Sequence, residues 1–303
     1  MIITKYLLLF LAFSVFKEAG EGNNWSLVAG NFNFPEGPAW DMQNKILYVS
    51  NCYGDFLAKI TGGKVDALVR KSDSAISKTN GLFVDNEGNV IACDFGKGAI
   101  LKISPAGKVS TLIAGYKGEK FNRPNDLVIT PAGNLYFSDP ENYGKNKLDG
   151  RIFFFNMKTG ELKLVAEKLA FPNGVNISPL DGKLYVSESA QNRVLRFTIN
   201  EDNTLSGKEV FIELPGGDPD GLEFDTDGNL YVAHFGSGTV YVISPEREIL
   251  SKIKTPGKKP SNLEFGGDDL SILFLTEDET NAVYKMQMKA KGNKFFNSGE
   301  DVK

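Results

Sequence analysis

Histidine occurs once in the 303 residues, as His234, and cysteine twice, as Cys52 and Cys93. That leaves no His or Cys cluster for a soft-metal centre. Two cysteines also cannot build a disulfide framework. They could pair with each other in an oxidising compartment, or sit apart as two small buried hydrophobes, and the sequence leaves both readings open. A basic excess is missing as well: 34 Lys and Arg stand against 38 Asp and Glu, for a net charge of −4. With nothing to neutralise phosphates, nucleic acid is excluded as a partner. Sustained 3.6-residue apolar periodicity is nearly absent, and Gly or Pro interrupts most stretches, so few helices are expected.

Long apolar runs are scarce too. The one that stands out, Tyr6 to Phe16, follows Lys5 and has eleven residues. It is too short to span a bilayer and suits the apolar region of a secretory signal. Ala19, Gly20 or Gly22 could each precede the cut. We expect a signal peptide over 1–22, a secreted mature chain over 23–303, and no stable membrane span once the signal is removed. An uncleaved anchor or an apolar strand is the competing reading of the same run.

What is abundant is glycine, 32 residues, and a repeated phrase. Apolar runs ending in a polar residue recur around Tyr48, Ile91, Tyr136, Tyr185, Tyr231 and Phe274, spaced 43 to 49 residues apart. A period of that length, made of strand and turn, marks propeller blades. The fold expected is an all-β, six-bladed β-propeller of four-stranded blades. Blade six lacks an obvious fourth strand. The segment Trp25 to Ala29 precedes Glu36 as Glu161 to Ala166 precedes Asn173, so an N-terminal strand should complete the last blade and close the ring. Lys294 to Phe296 is the rival for that place.

A second phrase lies 11 or 12 residues upstream of each alignment position. It carries Glu36, Asn80, Asn125, Asn173, Asp220 and Asn262. Read as innermost strands, these phrases aim six oxygen-bearing side chains at the channel axis at one level. The residues ending the second strands, Asn51, Asp94, Asp139, Glu188, His234 and Glu277, should form a second polar ring at the same mouth. Buried carboxylates must neutralise, pair or bind a cation. An all-oxygen set selects a hard cation, and its flexible geometry favours Ca²⁺ over Mg²⁺, with Mn²⁺ or Zn²⁺ as other occupants. Purely structural Asx turns would repeat one residue type. Here the identity changes from blade to blade, as in a differentiated site.

At these positions the chain resembles the family of gluconolactonase, regucalcin (senescence marker protein) and luciferin-regenerating enzyme. The motifs are Pro35-Glu-Gly-Pro-Ala-Trp40, Arg123-Pro-Asn-Asp126, Pro172-Asn-Gly174, Asp218-Pro-Asp-Gly221, Ala233-His-Phe-Gly-Ser-Gly238 and Pro260 through Gly267. The resemblance implies one divalent metal in the channel, commonly Ca²⁺, held by Glu36, Asn173 and Asp220, with Asn125 beside it. It implies lactone hydrolysis, with Arg123 and Tyr143 binding the small-molecule substrate. Glu141-Asn142 departs from the family pattern beside Tyr143. Asp220 is the expected general base for an attacking water. The lone His234 excludes a paraoxonase-type His pair and reads as a hydrogen-bonded mouth residue. Two alternatives stand beside the lactonase. One is a phosphotriesterase resembling diisopropyl fluorophosphatase, which shares a similar ring; the other is a non-catalytic calcium- or ligand-binding propeller.

Overall fold

A computed structural model describes residues 24–293. The expected signal segment and the rival strand Lys294 to Phe296 fall outside these described residues. Among the described residues, twenty-four strands and two single-turn 3₁₀ segments, Lys71–Asp73 and Ser189–Gln191, make up the regular structure. The strands form six four-stranded antiparallel sheets. The innermost strand of each blade, in chain order, is Pro35–Asp41, Thr79–Val84, Leu127–Ile129, Pro172–Ile177, Asp218–Phe224 and Pro260–Gly266.

The second strands show why the chain packs this way. Their side chains alternate between faces, and both faces of a blade meet another blade, so the run must be apolar throughout. In the first blade Leu47 and Val49 fill the junction with blade six, while Tyr48 between them fills the junction with blade two. One such apolar cluster occupies each of the six junctions. Outer strands instead keep one dry face: Ile249–Lys254 alternates partly buried and exposed residues. Turns between first and second strands are held by Asp side chains. Asp85 Oδ1 accepts from the amides of Glu87 (3.0 Å) and Asn89 (2.8 Å), and Asp225 does the same for Asp227 and Asn229.

The ring closes as the sequence predicts. Strand Ser26–Ala29 pairs antiparallel with Ala282–Gln287, the third strand of blade six. Two fourth strands run longer than their apolar cores suggest, Leu162–Leu169 and Leu205–Glu213. Each carries shifts of register against its partner, which let extra polar residues join the exposed edge.

Candidate active site in the channel mouth

Each inner strand begins within two residues of its ring position, so the strand starts define one end of the channel. Glu36, Asn80, Asn125, Asn173 and Asp220 line a single cavity there of about 200 Å³, together with Arg123 and Tyr143. The blades come this close because a glycine follows most ring residues. At Gly174 any side chain would run into the backbone carbonyl of Asp220 on the next blade. Serines on the second strands hold neighbouring blades in step. Ser50 Oγ donates to the Asn80 carbonyl (2.6 Å), Ser138 to Asn173 (2.7 Å) and Ser187 to Asp220 (2.7 Å).

Asn262 departs from the ring. It turns toward a second cavity deeper in the channel, of about 100 Å³, where its Oδ1 accepts the Leu263 amide at 2.8 Å and its side chain acts to lower the carboxyls of Glu36 and Asp126. Below it the axis holds Glu223 and Glu264 as well. Burial pushes Glu223 up to about 8 and Asp126 up to about 7, and raises Glu264.

The mouth has a surplus of oxygens. Asp220 Oδ1, Asn80 Oδ1 and both carboxyl oxygens of Asp278 are buried without a hydrogen-bond partner. Burial and the negative charge of Glu36 raise Asp220, and the same causes raise Asp278 to about 10. Glu36 rises to about 8, mainly through burial, although its Oε2 accepts the Gly37 amide at 3.0 Å. Buried polar atoms are rarely left unpaired. Several acceptors facing one space, with no donor to match them, fit a cation. Among the described residues no three His, Cys, Asp or Glu side chains gather tightly enough to hold an ion alone. The fit therefore rests on amide oxygens joining the carboxylates, which is the chemistry of hard-cation sites.

The second ring does not line the mouth, contrary to expectation. Those side chains turn into their own blades and cap the loop arriving at the inner strand. Asn51 accepts from the Asn33 amide, Asp94 from Ser77 and Lys78, and Asp139 from Arg123. Glu188 accepts from Ala170 and Glu277 from Lys259. Arg151 and Arg193 neutralise Asp139 and Glu188, each at 2.6 Å. The physical reason is accounting: a loop entering a buried strand carries orphan N–H groups that need acceptors. His234 belongs to this set. Its Nε2 lies 2.8 Å from the Leu214 carbonyl, which can only accept, so Nε2 carries the proton; Nδ1 meets Ser237 Oγ at 2.7 Å. Cys52 and Cys93 are free and buried, and burial pushes both thiols up, away from nucleophilic use.

The walls of the mouth come from positions beside both rings. Residues two before the inner ring supply Phe34, Arg123, Phe171 and Asp218; residues one beyond the outer ring supply Phe95, Ser189 and Phe235. Tyr143 donates its hydroxyl to Asp218 at 2.8 Å and meets Phe171 edge-on. Asp278 and Asp126 are the site carboxyls that sequence reasoning passed over. The offset of one from Glu277 could have revealed Asp278.

Fold and mouth together define a six-bladed propeller with oxygen donors converging at one end of its axis. The chain belongs to the SMP-30/Gluconolactonase/LRE-like family, whose profile matches residues 34–278. It is 30% identical over 270 residues to a gluconolactonase of Zymomonas mobilis, covering 79% of this chain and 75% of that one. It is 31% identical over 196 residues to the diisopropyl-fluorophosphatase of Loligo vulgaris, covering 59% and 62% respectively. Among solved structures, a gluconolactonase from Xanthomonas campestris superposes with a TM-score of 0.77 at 27% identity, over 87% of this chain and 88% of that one. The lactonases among these relatives make the chain a hydrolase-type member of the family.

Proposed function

We infer that the protein is a secreted, divalent-metal-dependent hydrolase that opens lactone rings in the channel mouth, with Ca²⁺ as its ion. The unpartnered buried oxygens of Asp220 and Asn80, facing the same cavity as Glu36 and Asn173, carry this reading. Glu36, Asn173 and Asp220 would hold the ion, with Asn125 and Asn80 presenting oxygens beside them. A bound dication supplies Lewis acidity, withdrawing charge from the substrate carbonyl as it becomes tetrahedral.

The remaining work falls to side chains. Arg123 and Asn125 fix the substrate over the ring, since both line the cavity. Asp220 would receive a proton from the attacking water on the carboxyl oxygen that it does not present to the ion. A bond forms between the water oxygen and the carbonyl carbon, and the ring C–O bond breaks. The departing ring oxygen takes up the proton that Asp220 received, so that lactone plus water gives a hydroxy acid, which ionises at neutral pH.

The test is a panel of lactones assayed with and without chelator, beside Asp220→Asn. Chelation should abolish turnover and Ca²⁺ should restore it. Asp220→Asn should lose on the order of 10²-fold or more in kcat/KM and should weaken the Ca²⁺-induced rise in Tm. Full activity in chelator, or full metal affinity in the variant, overturns the assignment. A phosphotriesterase is the second reading, favoured by the 31% identity to the fluorophosphatase; diisopropyl fluorophosphate belongs in the same panel. Secretion rests on Lys5 and the Tyr6–Phe16 run, and the mature N-terminus of exported protein, read by mass spectrometry, tests it.

A further inference from the structure

Above the oxygen donors, the mouth is walled by aromatic rings. Phe34, Tyr53, Phe95, Tyr143, Phe171 and Phe235 all border the cavity. They come from five different blades, so no single loop accounts for them. Neighbouring rings touch around much of the rim: Phe34 lies 5.1 Å from Tyr53 and 6.5 Å from Phe235, Tyr53 lies 6.2 Å from Phe95, and Tyr143 lies 5.4 Å from Phe171. Arg123 spans the gap between Phe95 and Phe171, and Lys78 lies over two rings already in contact. Arg123 sits 5.2 Å from Phe95 and 5.9 Å from Phe171, and Lys78 sits 5.2 Å from Tyr53 and 5.4 Å from Phe95. None of the six rings is fully buried, and Tyr53 and Tyr143 are 45% and 59% exposed.

We propose that the substrate carries an aryl or comparably apolar group on its lactone, and that a polyhydroxylated sugar lactone is a poor fit. This rests on the reading of the mouth as a hydrolytic site. A sugar lactone brings several hydroxyls, each of which loses water on entry and needs a partner from the wall. Apart from the Tyr53 hydroxyl and the ring amides below it, the wall has few to give. The Tyr143 hydroxyl is committed to Asp218, and Ser189 Oγ to the Pro219 carbonyl at 2.7 Å. Arg123 and Lys78 offer charge, which suits the carboxylate released on hydrolysis better than neutral hydroxyls. Aromatic faces and edges, by contrast, are matched by a flat apolar group, which gains both area burial and ring contacts.

The experiment compares dihydrocoumarin with D-glucono-1,5-lactone on the Ca²⁺-loaded full chain. We expect kcat/KM at least about tenfold higher for dihydrocoumarin. Phe95→Asn should raise its KM about tenfold while keeping the Ca²⁺-induced shift in Tm. Equal or better turnover of the gluconolactone overturns the proposal and leaves the hydrolase reading intact. Calorimetric binding of two unreactive lactams, 3,4-dihydro-2-quinolinone and D-gluconolactam, separates the other failure. If neither lactone is cleaved and only the aryl lactam binds, the hydrolase reading falls and the aromatic selectivity stands. If the sugar lactam binds as tightly, the selectivity falls.

Discussion

Glu36 illustrates what a single residue contributes here. Its carboxyl is carried into the channel and largely buried there, with Oε2 accepting the Gly37 amide. Glu36 and Glu223 both rise from 4.5 to about 8, and Asp126 rises from 3.8 to about 7, with burial the largest cause in each. The sign follows from linkage. A carboxyl whose folded pKa lies above its unfolded one binds extra protons in the fold, so its stabilisation is present below about pH 4 and is lost as pH rises through about 7 to 8. Metal-free protein should therefore melt at a lower temperature at about pH 8.5 than at about pH 5.5. Ca²⁺ favours the ionised forms of Glu36 and Asp220, so its stabilising effect should grow over the same interval. Thermal melts in chelator and in Ca²⁺ across that range check both statements. A metal-free Tm that climbs from about pH 5.5 to 8.5 would mean these carboxyls are already ionised and paired.

At the scale of elements, the second strands deserve the credit for placing the ring. Ser187 reaches across from blade four to the carbonyl of Asp220 in blade five, and Ser50 and Ser138 make the same reach elsewhere. Ser187→Ala leaves that carbonyl buried without its partner, at a cost of about 1–3 kcal/mol. It should also loosen the Asp220 backbone, lowering Ca²⁺ affinity more than Ser50→Ala, whose target Asn80 is not one of the three assigned ligands. Denaturant melts and calorimetric Ca²⁺ titrations of the two variants test this; equal affinity losses would show that the serines act on stability alone.

The same strands show how far the sequence could be read. Their spacing made the blades, the closing strand and five convergent ring residues legible, because a blade repeats one backbone geometry and the period survives divergence. Asn262 escaped, since its side chain follows the carboxyls of Glu36 and Asp126 and not the repeat. The outer ring was misread for a related reason. Asp94 and Glu188 sit at the right height, but their direction is set by loop amides seeking acceptors, and those amides carry no residue-level signature. Asp278, Phe34, Tyr53, Phe95 and Phe171 lie one or two positions outside the strands, and Tyr143 lies in a longer loop, where the repeat no longer fixes side-chain direction.

For the whole molecule, closure of the ring and integrity of the site are one problem. Strand Ser26–Ala29 is held by its ladder to Ala282–Gln287, and Trp25 Nε1 adds a 3.0 Å bond to the Lys254 carbonyl. The junction it secures, between blades six and one, is also crossed by Ser261 Oγ reaching the Pro35 carbonyl at 2.9 Å. Removing residues 24–30 would strip Ala29 from the apolar cluster at that junction and leave the strand Ala282–Gln287 with an open edge. Open edges recruit other chains. The truncated protein should melt about 5 °C lower or more, associate as its concentration rises, and bind Ca²⁺ more weakly because Glu36 loses its fixed neighbour. Scanning calorimetry, light scattering and Ca²⁺ titration read these three effects separately. An unchanged Tm with a monodisperse sample would show that the apolar junctions close the ring without the strand. A lower Tm with Ca²⁺ affinity intact would show that the inner strands hold the mouth together independently of the rim.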